Sequence, residues 1–281
     1  MKFEIREMKN LARLKTGGFA HTFRVEKTSE LVEFLRMFES FRVLGNGSNV
    51  VFSDSGISEP VIKLGGEFKR IVSSGGEVIA GAGCLLAEVI KKCFEISLSG
   101  LERLAGIPAE VGGAVAMNAG AFGTEISDFI GWIKVADRKG VRKISRKGLS
   151  CGYRRVSFGH SAVVTEVCFN LVKSDRGKIM AGLKKAISRR AERGFFVKNS
   201  TGCIFKNPVG GYAGELIERA GLKGERFGGA AVSTRHANIF VKTLNAPASD
   251  VYCLMQRIRL GVFEKSGIFL EPLVEFWGDF R

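Results

Sequence analysis

Two glycine-rich stretches are the places where this chain's residue types and spacing could do chemistry. Gly45-Asn46-Gly47-Ser48-Asn49 supplies two glycines that tolerate positive φ and let the backbone come close to a ligand. Consecutive amides in such a loop can cup a phosphate. The loop is no dinucleotide fingerprint, because the third glycine position is Val50 and a strand-like run follows instead of a helix. No Gly-Lys-Ser/Thr follows either, so it is no Walker loop. A plain hairpin turn is the competing reading of a Gly-Asn pair. The second stretch, Gly106 to Gly123, consists almost wholly of small residues. Its backbone could approach a flat ligand and bond ring heteroatoms through fixed amides; a tightly packed glycine turn is the alternative.

Whatever these loops hold should be anionic. The chain has 281 residues with 43 Lys+Arg against 28 Asp+Glu, a formal charge of +15, which favours nucleic acid, membrane surface or phosphorylated small molecules without choosing among them. At 45% apolar residues the chain is no disordered polymer. No apolar run approaches the roughly 18 residues of a membrane span, and the alternating charges of Met1 to Glu7 lack the apolar core of a secretion signal. Six scattered cysteines without a Cys-x-x-Cys pair argue against a disulfide framework or zinc finger and point to reduced thiols in a cytoplasmic protein. No Cys/His/carboxylate spacing suggests a metal, so His160 and His236 read as structural. A nucleic-acid binder should interleave aromatic platforms with its basic residues, and the basic stretches here contain few.

The elements that position the loops follow from periodicity. Residues from Thr28 read as a helix capped by Thr28 or Ser29, burying Leu31, Phe34 and Leu35. Phe41–Leu44, Val50–Phe52 and Val61–Leu64 read as strands around the first loop. Glu77–Ala80 is a strand, Leu85–Ile96 a helix burying Leu86, Val89, Ile90 and Cys93, and Ile130–Val135 and Ala162–Phe169 are alternating strands. A basic helix over Ile179–Arg193, a helix from Asp250 to about Glu264 and a strand over Ile268–Trp277 complete the chain. The expected organisation is α+β in three parts: residues 1–66, 67–173 and a basic C-terminal part, 174–281.

The order of short motifs along the chain resembles one family. Leu44 to Asn49, Ser99-Gly100-Leu101-Glu102, Gly106-Ile107-Pro108, Gly112-Gly113-Ala114-Val115 and Asn118 to Gly123 fit it, as do Gly152-Tyr153-Arg154 and Gly202 to Pro208. Ala213 to Ile217, Gly221 to Gly224, Gly228 to Ser233 and His236-Ala237-Asn238 continue the series. The chain is identified as a member of the UDP-N-acetylenolpyruvoylglucosamine reductase (MurB) family of bacterial flavoproteins, and its length resembles the shorter subgroup. The resemblance implies two FAD-cradling lobes of the vanillyl-alcohol-oxidase type (1–66 and 67–173) followed by an α/β substrate domain (174–281). It implies reduction of bound FAD by NADPH and of UDP-N-acetylglucosamine enolpyruvate to UDP-N-acetylmuramate. It places the FAD pyrophosphate against Gly45, Asn46, Gly47, Ser48 and Asn49, and the ring system near Gly112, Gly113, Asn118 and Gly120.

The same resemblance distributes the catalytic roles. Hydride addition to the enol ether builds negative charge on the neighbouring carboxylate, and a fixed cation there lowers the barrier. Arg154 stands at that arginine's position; Arg155 would point to the opposite face of an extended segment. Cys203 stands where the family usually carries a proton-donating serine, and a thiol, with a reference pKa of about 8.5, is the stronger acid. Lys206 and Asn207 fall at positions that face the nucleotide-sugar. The chain departs from the family at its third catalytic group. Leu270-Glu271-Pro272-Leu273-Val274-Glu275 puts Leu273 at the family's glutamate and Glu275 at its arginine. In a strand, Glu271, Leu273 and Glu275 would share a face at intervals of roughly 6.6–6.8 Å, so neither glutamate replaces the missing carboxylate without a register shift. Glu271 is the candidate substitute, with a salt-bridged surface residue as its alternative. A flavin-binding relative with a lost or altered reductase step is the second functional reading.

Overall fold

Runs of β-branched residues in Ile130–Asp137 and Val163–Asn170 pair antiparallel at the centre of a five-stranded sheet. Its order is 140–145, 130–137, 163–170, 77–81 and 71–74, with antiparallel neighbours throughout. The computed structural model describes residues 1–280. Two units emerge from it. The first comprises Met1–Glu4, Thr22–Asn46 and Glu59–Arg189; the second comprises Ile5–His21, Gly47–Ser58 and the chain from Arg190 onward. Among the described residues no helix is long and apolar enough to cross a membrane.

The first unit is organised around one apolar core. Helix α1 (Thr28–Met37) contributes Leu31, Phe34 and Leu35 to it, and α2 (Leu86–Glu95) contributes Leu86, Val89, Ile90 and Cys93, the faces that periodicity predicts. The expected cap of α1 is displaced. Lys27 holds the cap position, and the Glu30 carboxylate accepts the Glu26 and Lys27 amides at 2.8 and 3.3 Å, while Thr28 donates to Glu67. A carboxylate in the first turn serves the orphan amides as well as a hydroxyl does, with the helix dipole in its favour. The expected strand at 41–44 shrinks to Arg42–Val43, parallel to Val61–Ile62.

Gly106 to Gly123, expected as irregular loop, contains a six-residue helix, α3 (Val111–Ala116). Val111, Ala114 and Val115 are buried on it, and the amides of Val111 and Gly112 donate to Cys84 and Ala82 at 2.9 and 2.8 Å. Two glycines in six residues oppose helix formation by about 1 kcal/mol each relative to alanine, so packing rather than propensity holds this turn. Helix α4 (Arg176–Glu192) follows the sheet and begins three residues before the expected start.

The second unit has its own core and a four-stranded antiparallel sheet, ordered 200–203, 239–242, 230–232, 226–227. Helix α5 (Ala213–Arg219) and helix α6 (Ala248–Ser266) pack here, α6 burying Val251, Leu254, Met255, Ile258 and Val262. The expected strand over 268–277 is regular only at Glu275–Trp277, which runs parallel to Val50–Phe52. Upstream, a single bridge joins Pro272 to Phe205. Pro272 has no amide to give a ladder, which explains why the strand fails there.

Lys242 locks the approach to α6. It is 6% exposed, and its ammonium donates to the carbonyls of Thr243, Leu244 and Ala246 at 3.0, 3.0 and 2.8 Å. Lys242→Met keeps the stem and removes three charge-assisted bonds, leaving the carbonyls to find water. The expected loss is about 2–4 kcal/mol in chemical denaturation; a change below about 0.5 kcal/mol would show that the turn satisfies itself.

Candidate active site

The first glycine loop is anchored from below. Leu44 donates its amide to Ile62 at 2.9 Å, and Gly45 gives its carbonyl to the Lys63 ammonium at 2.8 Å. Gly47 has φ +60, and a Cβ there would stand 2.1 Å from the Leu11 carbonyl oxygen, so this turn admits only glycine. Asn49 donates its side-chain amide to the Leu273 carbonyl at 3.0 Å and accepts the Glu275 amide at 3.0 Å. Among the described residues no protein acceptor takes the backbone amides of Asn46, Gly47 or Ser48. Unpaired amides on successive residues are donors in search of an anion, and they fit the phosphate reading over the plain hairpin.

The second stretch divides into glycines with an intramolecular reason and one without. A Cβ on Gly112 would lie 3.0 Å from that of Ala82, and one on Gly120 would lie 2.9 Å from the Thr124 carbonyl oxygen. A Cβ on Gly113, exposed on α3, would meet nothing within 4 Å. Nothing in the protein therefore requires glycine at 113, and its bare backbone is open to a flat ligand. Asn118 is fully buried at φ +40, and its amide is spent on Glu125 and Gly152 at 2.6 and 3.0 Å while its Oδ1 accepts from Ser127. Its backbone amide donates to the Val115 carbonyl at 2.9 Å, so Asn118 shapes this segment from inside.

The bond from Asn118 to Gly152 reaches the hairpin that carries Arg154. Strands 150–152 and 155–157 pair antiparallel, with Gly152 opposite Arg155, so Tyr153 and Arg154 are a two-residue turn. Arg154 has φ +59. The expected extended segment with Arg154 and Arg155 on opposite faces is thus replaced by a turn, because the strand pairing closes at residue 152. Arg154 Nη1 donates to the Gly120 carbonyl at 3.2 Å, the guanidinium lies 5.4 Å from the Tyr153 ring, and Nε is buried without a hydrogen-bond partner. A buried N–H on a cation and a left-handed arginine are two costs in one residue.

In the second unit, Cys203 ends strand 200–203, partly buried, opposite Ile239. Asn238 sets the chain after it. Asn238 Oδ1 accepts the Phe205 amide and its Nδ2 donates to the Phe205 carbonyl, both at 2.9 Å, and the Ile204 amide donates to the Asn238 carbonyl. The motif His236-Ala237-Asn238 carried this residue, yet its positioning role is visible only once residues 205 and 238 meet. His236 Nδ1 accepts the Asn238 amide at 3.2 Å, and burial followed by Arg193 pushes its pKa below the ordinary histidine value, so it serves as a neutral structural group.

Lys206 and Glu271 form an ion pair at 2.5 Å, and the Lys206 amide donates to the Glu271 carbonyl at 2.8 Å. Asn207 Oδ1 accepts the Ala213 amide at the start of α5. Glu271 is exposed, and Glu275 takes the Trp277 indole N–H at 2.8 Å. Leu273, between them, donates its amide to the Ile204 carbonyl. Both carboxylates of this stretch are committed elsewhere, and the alternation expected for 271, 273 and 275 is absent upstream of residue 275. Among the other cysteines, burial pushes the thiols of Cys84, Cys93 and Cys168 up to about 11, 12 and 11, which leaves them protonated and inert.

Known proteins with this arrangement are recognisable. An FAD binding domain model matches residues 19–145, and one for the C-terminal domain of UDP-N-acetylenolpyruvoylglucosamine reductase matches residues 195–277. The reductase of that name from Clostridium beijerinckii is 42% identical over 241 residues, 85% of this chain and 79% of its own. The one from Geobacillus thermodenitrificans is 38% identical, covering 97% of this chain and 91% of its own. The crystal structure of the Thermus caldophilus enzyme superposes with a TM-score of 0.89 at 37% identity, over 99% of this chain and all of that one.

Proposed function

Since this chain belongs to the UDP-N-acetylenolpyruvoylglucosamine reductase family, an FAD-dependent oxidoreductase family of peptidoglycan synthesis, we propose that it reduces UDP-N-acetylglucosamine enolpyruvate to UDP-N-acetylmuramate with NADPH as the electron source. FAD, when bound, would supply the carrier that takes hydride from the nicotinamide and passes it to the substrate. In this reading the free amides of Asn46, Gly47 and Ser48 hold its pyrophosphate, with Gly45 and Asn49 shaping the ends of the loop. The bare backbone of Gly113, with Gly112, Asn118 and Gly120 behind it, lies against the ring system. Residues 1–66 and 67–173 serve the cofactor and residues 174–281 the substrate; the FAD model over 19–145 and the C-terminal model over 195–277 support the separation of a cofactor part from a substrate part.

The observation that carries this proposal is Arg154, whose buried, unpartnered Nε is a charge-bearing donor awaiting an acceptor. The substrate carboxylate is that acceptor, and negative charge growing on it as hydride arrives at the methylene carbon strengthens the contact in the transition state. Cys203 hands its proton to the adjacent carbon. Lys206 and Asn207 orient the nucleotide-sugar, and the Glu271 carboxylate steadies Lys206 rather than acting as an acid. Cys203 then has no carboxylate at 273 to share its task.

The missing carboxylate also supports the second reading, a relative that binds FAD but has a lost or altered reductase step. One experiment separates them. The purified protein should show the visible absorbance of bound flavin at about one FAD per chain, and its NADPH oxidation should depend on added enolpyruvyl substrate and yield the muramate product. NADPH oxidation that ignores the substrate would establish the second reading instead.

A further inference from the structure

We propose that Lys63 is a positioning residue for the cofactor: its ammonium clasps the Gly45 carbonyl and the Glu110 carboxylate, holding the two glycine segments in one register. The inference rests on the FAD reading of those segments and adds to it a residue that touches neither motif in sequence. Lys63 lies on the strand Ile57–Leu64, its Nζ 2.8 Å from Gly45 O and 3.5 Å from Glu110 Oε1. Glu110 is 7% exposed and immediately precedes α3, so whatever fixes Glu110 fixes Gly112 and Gly113. A second tie runs parallel to the first, from the Asn46 side-chain amide to the Pro108 carbonyl at 3.0 Å.

The consequence for the loop is geometric. In a planar trans peptide the carbonyl and the following N–H point to opposite sides, and among the described residues there is no cis bond. With the Gly45 carbonyl drawn onto Lys63, the Asn46 amide is turned away from Lys63, and among the described residues no protein acceptor takes it. A carboxylate as buried as Glu110 would not stay charged alone. Burial raises its pKa above the ordinary carboxylate value; Lys63 and then Lys69 oppose that rise without cancelling it, and Glu88 adds a smaller push upward. The pair is therefore mutually dependent: Glu110 holds Lys63 in place, and Lys63 offsets part of the cost of burying the Glu110 carboxylate.

The test uses the full-length holoenzyme, diluted while the fluorescence of released FAD reports the dissociation constant. Lys63→Met alone strands a buried carboxylate, so the informative variant is K63M/E110Q, which removes both charges. Its FAD dissociation constant should rise about tenfold or more, the value of losing charged hydrogen bonds. Lys63→Arg, which keeps the cation and its donors, should stay within about threefold of the parent. Arg42→Met, which breaks the Arg42–Glu59 pair elsewhere on the same strands, should leave the constant unchanged. A double variant that holds FAD as tightly as the parent overturns the proposal, and so does equal weakening by Arg42→Met. A parent protein unable to retain FAD would sink the cofactor reading and this inference with it.

Discussion

Replacing Arg154 with alanine is expected to lower turnover with the enolpyruvyl substrate by about 10²–10³, the typical cost of removing one preorganised donor from a developing negative charge. The loss should fall on the step in which substrate reoxidises reduced flavin. Rapid-mixing measurement of the preceding step, flavin reduction by NADPH, should give a rate close to the parent's. Arg154→Lys should behave nearly as badly as alanine. Nη1 is tied to the Gly120 carbonyl while Nε remains free, and a lysine has one nitrogen for these two tasks. The backbone offers an independent check. At φ +59, glycine is preferred over alanine by about 1 kcal/mol. Arg154→Gly should therefore be the more stable of the two truncations in chemical denaturation, although it is equally inactive. An alanine variant within threefold of parental turnover would remove Arg154 from the chemistry.

The second large effect belongs to Cys203. Positioned proton transfer contributes typically about 10²–10⁴ in rate, and Cys203→Ala should lose a factor in that range from flavin reoxidation by substrate. Flavin reduction by NADPH should again be spared. Cys203→Ser is the informative partner, since a hydroxyl of similar size at the end of strand 200–203 can donate a proton and should recover much of the rate. Equal losses in both half-reactions would mean that the substitution disturbs cofactor binding, and no donor role could then be claimed. Asn238 guards against a trivial outcome. It clamps the Phe205 backbone at both ends, so the segment following residue 203 is held independently of the thiol.

Much of this was legible in the sequence wherever a local pattern determines the outcome. The apolar faces of α1 and α2 follow from helical spacing, and the two central strands of the five-stranded sheet follow from β-branched alternation. Gly47 was readable as a loop glycine, though not the Leu11 carbonyl that enforces it. What escaped depended on distant partners. Helix α3 has no polar face and carries two glycines in six residues, and it exists because Val111, Ala114 and Val115 are buried. The left-handed Arg154 is contrary to arginine's own preference and comes from the hairpin closing around it. Lys63 looked like any polar residue in a strand, since its partner Glu110 lies 47 positions away. The roles of Arg154, Cys203, Lys206 and Asn207 came from family resemblance, and spacing alone would not have assigned them. Pro272 carried a readable warning that the C-terminal strand would not run unbroken through residue 273.

The way residues 273–277 meet the first glycine loop has a consequence for biosynthesis. Asn49 is held through its side chain by Leu273 and through its carbonyl by Glu275, and strand Val50–Phe52 finds its parallel neighbour only at Glu275–Trp277. The first of these partners, Leu273, leaves the ribosome 224 residues after Asn49. The Gly45 end of the same loop is secured by Ile62 and Lys63, which are made within the next twenty residues. One end of the loop can therefore settle early in translation, while the other waits for nearly the whole chain. Contacts so distant in sequence close slowly and late. Full order in the loop is thus a property of the finished polypeptide, and a nascent chain halted before residue 273 would present only the Gly45 half of it.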